Sequence, residues 1–517
     1  MLPGIRAFHI PGFLMSLLGI DIGSSSCKGV VFDEEGRPLV SASKAYETTS
    51  PAPGRMEMDA GRFWDAVAGV IRELARQTPA DPIAALSVSC HGETLVPLGP
   101  DGAACGPAML NSDHRAGAQA NRLSKALGTE AIHRITGSPP HAMFPLCKVL
   151  WLKENEPDAF DRVRRFVSVG AYILSRMGLE PLTDHSLASR MMAFDIRLRQ
   201  WSDSLLKAAG ISPDQLDLIR PAGEPAGALP ANAARDLGLP KGTVVVMGGH
   251  DQPCGALGAG IVDPGEVSDS AGTFECLVAA SQSPADARAA FVHSLNSYCH
   301  VVPHRYVTLA FFPGGIASQW FLDQFCGEDC VQAAKEGRSL HELLAERVKS
   351  AGADPTGIIF TPHLIGSFNP RWNANARGAI AGLGIGSTRH HLYKAVFEGL
   401  ACELSLNIHA LEEAVGPIGQ IRIFGGNARS LFTVQLRADI TGHDMVLLDT
   451  SEAVCRGAAM LAGIGIGLYR DAKDAVLRAV RTTQVIASDH RRTSLYSAQF
   501  GRYQSLYDSL HPANPRP

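Results

Sequence analysis

No apolar run in this 517-residue sequence approaches the roughly 20 residues that a membrane-crossing helix requires. The longest weakly polar stretch, Gly457 to Tyr469, is short and rich in glycine, so no membrane partner is expected. There is no basic surplus either. With 47 Lys and Arg against 51 Asp and Glu the formal net charge is -4, which argues against nucleic acid as a partner. The 11 cysteines are odd in number, scattered and without a CxxC pair. They exclude a disulfide framework and read as thiols of a reducing, cytoplasmic compartment. Cys326 and Cys330 are close together but lack the further ligands of a metal site. Also missing are a GxxxxGKS/T loop, a GxGxxG turn after a strand and the motif set of protein kinases. A nucleotide bound here must use another architecture.

The length predicts at least two domains, because a single core stops growing well below this size, and a cleft between them follows. The opening residues, Met1 to Met15, are apolar but broken by Pro3 and Pro11 and offer no small-residue cleavage site. They do not read as a signal peptide, and Met15 is a candidate start.

Between Gly248 and Gly260 a carboxylate stands at a strand-to-helix turn. Thr243 to Met247 reads as a buried strand, the residues after Asp251 as a helix, and Gly248 and Gly249 as the bend that projects Asp251 and Gln252 from its tip. A helix cap is the commoner role for such an aspartate. Nearer the start, Leu17 to Gly23 and Lys28 to Phe32 read as two strands joined at Ser24, Ser25 and Ser26. Backbone N-H groups, hydroxyls and Lys28 around that bend make a concavity suited to phosphate oxygens, although an ordinary serine-rich hairpin looks the same. Asp21, inside an apolar strand, needs a partner, and a hydrated Mg ion is one candidate.

Phe63, Trp64, Val67, Ile71 and Leu74 recur at helical spacing and predict an amphipathic helix packed on the sheet. After the strand Ala84 to Ser89 come His91, Glu93, Asp113 and Arg115, donors and acceptors of the kind that hold a polyhydroxylated ligand. The competing reading is an Asp113 to Arg115 surface pair beside a satisfied core histidine. From Ala118 to about Gly238 the sequence reads as mainly helical scaffold, of which only Phe144 to Lys148 approaches these polar groups. A boundary is expected at Val262 to Gly265, giving an N-terminal domain over 15–262, a C-terminal one over 263–490, and a helix and frayed tail over 491–517.

Val267 to Val278 repeats the opening pattern of strand, Gly-Thr turn and strand, so a duplication would place two phosphate turns across a cleft. Later, Gln420 to Phe424 reads as a strand, Gly425, Gly426 and Asn427 as a turn, and Ser430 to Thr441 as a helix whose start admits a nucleotide. Small residues from Gly457 onward allow close packing beneath it.

In order and spacing these motifs resemble the FGGY family of carbohydrate kinases, in the superfamily of actin, sugar kinases and heat-shock-protein ATPases, from Met15 onward. The most specific similarity is Gly378 to Leu383 followed, after seven residues, by His391 to Glu398, which fits the second family signature. Gly366 to Pro370 with Ala376 to Gly378 is also similar, although family members often carry Glu and Arg where Ser367 and Phe368 stand. Cys90-His91-Gly92 resembles xylulokinases, Glu93-Thr94 glycerol kinases, and parts of Val149 to Trp201 gluconokinases.

The resemblance implies an α/β fold of two ribonuclease H-like domains flanking a catalytic cleft. It implies Asp251 as catalytic base, with His91, Glu93, Asp113, Arg115 and Gln252 on the sugar or polyol. It implies ATP held by Gly23, Ser24 and Ser25, with Lys28 beside them, by Gly272 and Thr273, by Gly314 and Gly315 and by Gly425, Gly426 and Asn427. Asp21 would stand near Mg through water. The acceptor expected is a neutral ketopentose or polyol, because Glu93 beside Asp251 repels a sugar acid unless Arg115 offsets it. A gluconokinase-type sugar-acid kinase is the alternative. From another class, a non-kinase, chaperone-like ATPase would hydrolyse ATP slowly and ignore sugars. A homodimer is left open.

Overall fold

The computed structural model describes residues 15–512. The readings of residues 1–14 and of the tail beyond Pro512 lie outside them. Among the described residues no helix is long and apolar enough to cross a membrane.

The first sheet grows from the opening hairpin. β1 (Ser16–Ile22) and β2 (Ser26–Phe32) are antiparallel, with Asp21 opposite Lys28 in register, and β3 (Pro38–Ala45) continues the meander. The chain crosses the sheet through α1 (Gly61–Gln77), whose Phe63, Val67, Ile71 and Leu74 are buried, and returns as β4 (Ile83–Cys90) parallel to β1. The next segment holds α2 (Pro145–Asn155) and α3 (His185–Ser189). It is less uniformly helical than its sequence predicts, because short strands such as Phe194–Asp195 and Gln200–Trp201 pair within it. β5 (Pro225–Ala228) and β6 (Val244–His250) complete the order β5-β6-β4-β1-β2-β3, and α4 (Asp251–Gly258) follows β6 directly.

The second sheet repeats this plan. β7 (Val267–Ala271) and β8 (Glu275–Ser281) form a hairpin, and β9 (Asn296–Cys299) and β10 (Tyr306–Phe312) extend it on the β8 side. After α5 (Gly314–Phe325) and the long α6 (Arg389–Val415), β11 (Ile421–Phe424) enters parallel to β7. Then come α7 (Leu431–Thr441), β12 (Met445–Leu448), α8 (Ala453–Gly465), β13 (Thr482–Ile486) and α9 (His490–Leu510). The order is β9-β10-β8-β7-β11-β12-β13. Three antiparallel strands, then two parallel ones, then an antiparallel edge occur in both sheets, with β9 as the addition. The duplication read from the two hairpins is therefore present in the topology.

The halves interlock through α8. A Cβ on Gly19 of β1 would lie 1.8 Å from the Cys455 carbonyl oxygen, one on Gly258 of α4 1.8 Å from that of Ala453, and one on Gly457 1.8 Å from that of Cys254. Backbone therefore packs on backbone, and the small residues after Gly457 serve that contact. A helix late in the chain thereby braces both the first strand and the helix that begins with Asp251.

Candidate active site

Asp251 is the first residue of α4, and the helix cap is its neighbour His250, whose ring accepts the Gln252 N-H at 3.4 Å. Asp251 Oδ1 accepts the same N-H at 2.7 Å and stands 3.2 Å from His250 Nδ1. The carboxylate keeps 24% of its side-chain surface exposed, so a substrate can reach it. Burial of the rest, then the charges of Asp21 and Glu93, push its pKa well above the usual carboxylate range, while Arg190 pulls it down. Gly248 and Gly249 do not make a bend. They have ordinary φ and sit inside β6, where a Cβ on Gly248 would lie 2.0 Å from the Val88 carbonyl oxygen and one on Gly249 2.5 Å from Val301. Close approach, of β4 at Gly248 and of Val301 and Ser186 at Gly249, and not turn geometry, requires glycine there.

The nucleotide-side residues of the second half converge. The Gly315 N-H donates to the Gly272 carbonyl at 3.1 Å, and the Ile316 N-H to that of Thr273 at 3.2 Å. Gly315 and Ile316 therefore clamp the second turn to the start of α5, and their N-H groups are engaged by protein, while a Cβ on Gly314 would lie 2.9 Å from the Glu275 carboxylate. Gly425 adopts φ 98° with its Cβ position 2.9 Å from the Ala271 carbonyl oxygen, which sets the Gly425-Gly426-Asn427 turn against the same hairpin. Thr273 and Gly426 remain exposed at the tips. In the first half, Ser24 and Ser25 are exposed at the β1-β2 bend, which Tyr46 fixes by donating its hydroxyl to the carbonyls of Gly23 and Ser26.

Lys28 meets a protein partner at this bend: its ammonium lies 2.6 Å from Glu452 Oε1, an ion pair with the start of α8 in which 38% of the Lys28 side chain stays exposed. Asp21 fits its expected role better. Its Oδ1 is buried and has no hydrogen-bond partner among the described residues. Burial, then Glu452, raise its pKa to about 7 against the opposing pull of Lys28. Among the described residues no three His, Cys, Asp or Glu side chains are grouped to hold a metal. A cation here would keep its water and meet Asp21 alone, as hard hydrated cations do.

The polyol cluster also needs correcting. His91 has both ring nitrogens occupied, Nδ1 by the Ile22 carbonyl at 2.9 Å and Nε2 by Thr94 Oγ1 at 2.7 Å, so it is the satisfied core histidine. Asp113 and Arg115 do pair, but buried: Arg115 Nε and Nη2 donate to the Asp113 carboxylate, and Nη2 also reaches Glu57. The Met56 N-H donates to Asp113 Oδ2 at 2.7 Å. Arg115 therefore offsets Asp113 and Glu57, not Glu93.

Glu93 itself stands in the site, held at φ 61°. Buried Lys148 donates to its carbonyl at 2.8 Å and to that of Leu110, and burial lowers the Lys148 pKa to about 7. The Glu93 carboxylate meets Arg190, which the sequence reading placed in scaffold. Gly92 makes room: a Cβ there would fall 2.8 Å from His250 and 2.9 Å from Arg190. An arginine inside the small and apolar run Ala188 to Ala193 was the available signal for a buried charge with a task. β9 supplies Asn296 and Tyr298 from the second half, and the Tyr298 ring packs edge-on to His250 at 5.5 Å.

Two duplicated α/β domains, each opening on a hairpin with an exposed glycine- or serine-bearing turn, and a partly exposed carboxylate at a helix start make up the frame of a two-domain phosphotransferase. The model of the FGGY family of carbohydrate kinases matches in both parts, its N-terminal domain over 16–258 and its C-terminal domain over 267–466. The chain belongs to that family. It is 26% identical to a gluconokinase of Bacillus subtilis over 93% of this chain and 92% of that one. It is 26% identical to a xylulose kinase of Staphylococcus xylosus over 95% and 99%. In fold it superposes on a ligand-bound xylulose kinase from Lactobacillus acidophilus with a TM-score of 0.88 at 24% identity, covering 97% of this chain and 99% of that one.

Proposed function

We propose that the protein transfers the γ-phosphate of ATP to a hydroxyl of a small neutral sugar, a ketopentose of the xylulose kind or a polyol, with Asp251 as the base. The observation that carries this reading is the place of Asp251, rigid at the start of α4 and open to the cleft, between Asp21 at the first hairpin and the Glu93-Arg190 pair. Asp251 orients the acceptor hydroxyl and takes its proton late, since phosphoryl transfer depends on alignment and charge neutralisation more than on a strong base. The turns at Gly23 to Ser25 and Gly272 to Thr273 hold the polyphosphate, and Gly425 to Asn427 the adenosine. Mg would be held through Asp21 and water, and would neutralise phosphate charge. Approach of the halves excludes water as a competing acceptor.

Charge balance favours a neutral acceptor. Arg190 is spent on Glu93, Arg115 on Asp113 and Glu57, and the Lys148 ammonium on main-chain carbonyls, while burial lowers the pKa of His91 and His250 and leaves them neutral. Each of these cationic groups already faces an acid or a main-chain carbonyl, so a sugar carboxylate beside Glu93 and Asp251 would add a negative charge without a counter-charge of its own. The 11 cysteines, all free thiols, support a cytoplasmic setting. A domain division at Val262, in the segment between β6 and β7, belongs to the same reading. The test is ADP release over a panel of pentuloses, hexuloses, polyols and gluconate, with the product mass confirmed. A neutral sugar or polyol is expected to give the highest kcat/KM. Gluconate displacing every neutral sugar would make the enzyme a sugar-acid kinase, and ATP hydrolysis indifferent to all of them would refute the kinase reading.

A further inference from the structure

The Glu93-Arg190 pair is built differently from the other ion pairs around the cleft. Arg190 donates through Nε to Glu93 Oε1 and through Nη1 to Ser138 Oγ at 3.2 Å and Asn296 Oδ1 at 3.4 Å. Its guanidinium lies over the Phe144 ring at 5.1 Å and the Tyr298 ring at 4.8 Å, which fixes its plane. Lys148 and the left-handed backbone of Glu93 fix the other partner. Each side chain keeps only 6% of its surface exposed. Two groups take no part in these bonds: Nη2 of Arg190 and Oε2 of Glu93 have no hydrogen-bond partner among the described residues, and neither is sealed off completely. Asp113 and Arg115, by contrast, use their charged groups on each other and on Glu57 and Met56.

A fixed donor beside a fixed acceptor, shielded from bulk water, is complementary to two neighbouring hydroxyls. One hydroxyl accepts from the guanidinium and the other donates to the carboxylate, and both hydrogen bonds are charge-assisted. We propose that Arg190 is a specificity-determining residue of the acceptor site, where its guanidinium and the Glu93 carboxylate together read two adjacent hydroxyls of the sugar. The inference rests on the kinase reading above. It also assigns a function across the cleft, because Asn296 and Tyr298, which orient Arg190, belong to β9 of the second half.

The test pairs residue and hydroxyl. Wild type, Arg190→Met, Arg190→Lys and Glu93→Gln are assayed for kcat/KM with D-xylulose, ribitol and their monodeoxy counterparts, folding being checked by thermal unfolding. In wild type, loss of a hydroxyl that the pair reads is expected to cost about tenfold to a hundredfold. In Arg190→Met the same deletion is expected to cost less than about threefold, because its partner is already gone, with KM for ATP unchanged, and Arg190→Lys recovers part of the discrimination. Equal loss on parent and deoxy acceptors in Arg190→Met would make Arg190 a structural residue only and overturn the proposal. Should Arg190→Met fail to fold, Glu93→Gln run through the same series decides it by the same criterion. Failure of wild type on these acceptors and on every other pentulose, hexulose, polyol and gluconate of the panel would refute the kinase reading instead.

Discussion

The Lys28 ammonium and the Glu452 carboxylate, 2.6 Å apart, join the first hairpin of the chain to the helix that braces it from the second half. Both ends are partly exposed, so the pair adds roughly 0 to 1 kcal/mol to stability. Its larger effect falls on Asp21. Glu452 raises the proton affinity of Asp21, and Lys28, its partner across the ladder, lowers it. If Mg·ADP needs Asp21 ionised, Glu452→Gln moves the acid midpoint of Mg·ADP binding to lower pH and Lys28→Met moves it to higher pH. Calorimetric titration between pH 5.5 and 8.5 checks this, and shifts of the same sign would contradict it.

The Asp21 carboxyl also makes stability depend on pH. Its pKa is raised from 3.8 to about 7 in the native protein. Between those values the unfolded chain has released its proton and the native state has not. The favourable contribution is therefore complete below pH 4 and is lost as pH rises through 7, on the order of a few kcal/mol. Without Mg, Asp21→Asn is expected to melt higher than wild type at pH 8 and close to it near pH 4. Added Mg should then stabilise wild type but not the variant. Equal melting temperatures at both pH values would refute this account of Asp21.

The α8 contact predicts an intolerance that no exposed glycine shares. Gly457→Ala places a methyl 1.8 Å from the Cys254 carbonyl oxygen, so backbone must move, at a cost of about 1–3 kcal/mol. Gly384, with nothing within 4 Å of its Cβ position, is the control. Thermal unfolding of the two alanine variants should separate them clearly.

The most specific sequence match proves architectural. Glu398, the last residue of the signature segment, is buried and accepts from Tyr496 at 2.9 Å, Gln499 at 2.8 Å and Thr356, tying α6 to α9. Glu398→Ala leaves those donors and Lys394, 3.7 Å away, without their carboxylate. A loss of about 3–5 kcal/mol of stability is expected, with kcat nearly retained at temperatures where the variant is folded. A collapse of kcat in the folded variant would give Glu398 a catalytic role.

What was legible in the sequence follows its local periodicities. Both hairpins, α1 and the strand, Asp251 and helix succession are each written in a few neighbouring residues, and the repeat of the first hairpin at Val267 announced the duplicated topology. The partners of charged groups were not legible, because they come from distant elements. Arg115 was the one cation considered as an offset for Glu93, and an Asp113 to Arg115 pair was the competing reading; Arg115 does pair with Asp113, and Glu93 meets Arg190, from a segment whose small apolar residues read as packing. Lys28 was expected on phosphate and meets Glu452 of α8. His91 was expected on the ligand, yet its two partners, the Ile22 carbonyl and the Thr94 hydroxyl, come from β1 and from its own loop. Periodicity locates an element, but pairing is decided by how sheets and helices meet.

The central claim is that Asp251 is the base of a sugar kinase, and Asp251→Asn tests it most directly. The substitution keeps the size of the side chain and its acceptor for the Gln252 N-H, so the start of α4 should persist. With the preferred acceptor saturating, sugar-dependent ADP release is predicted to fall by about 10² to 10⁴, with Mg·ADP binding and melting temperature close to wild type. Wild-type release by a folded Asp251→Asn protein would contradict the account.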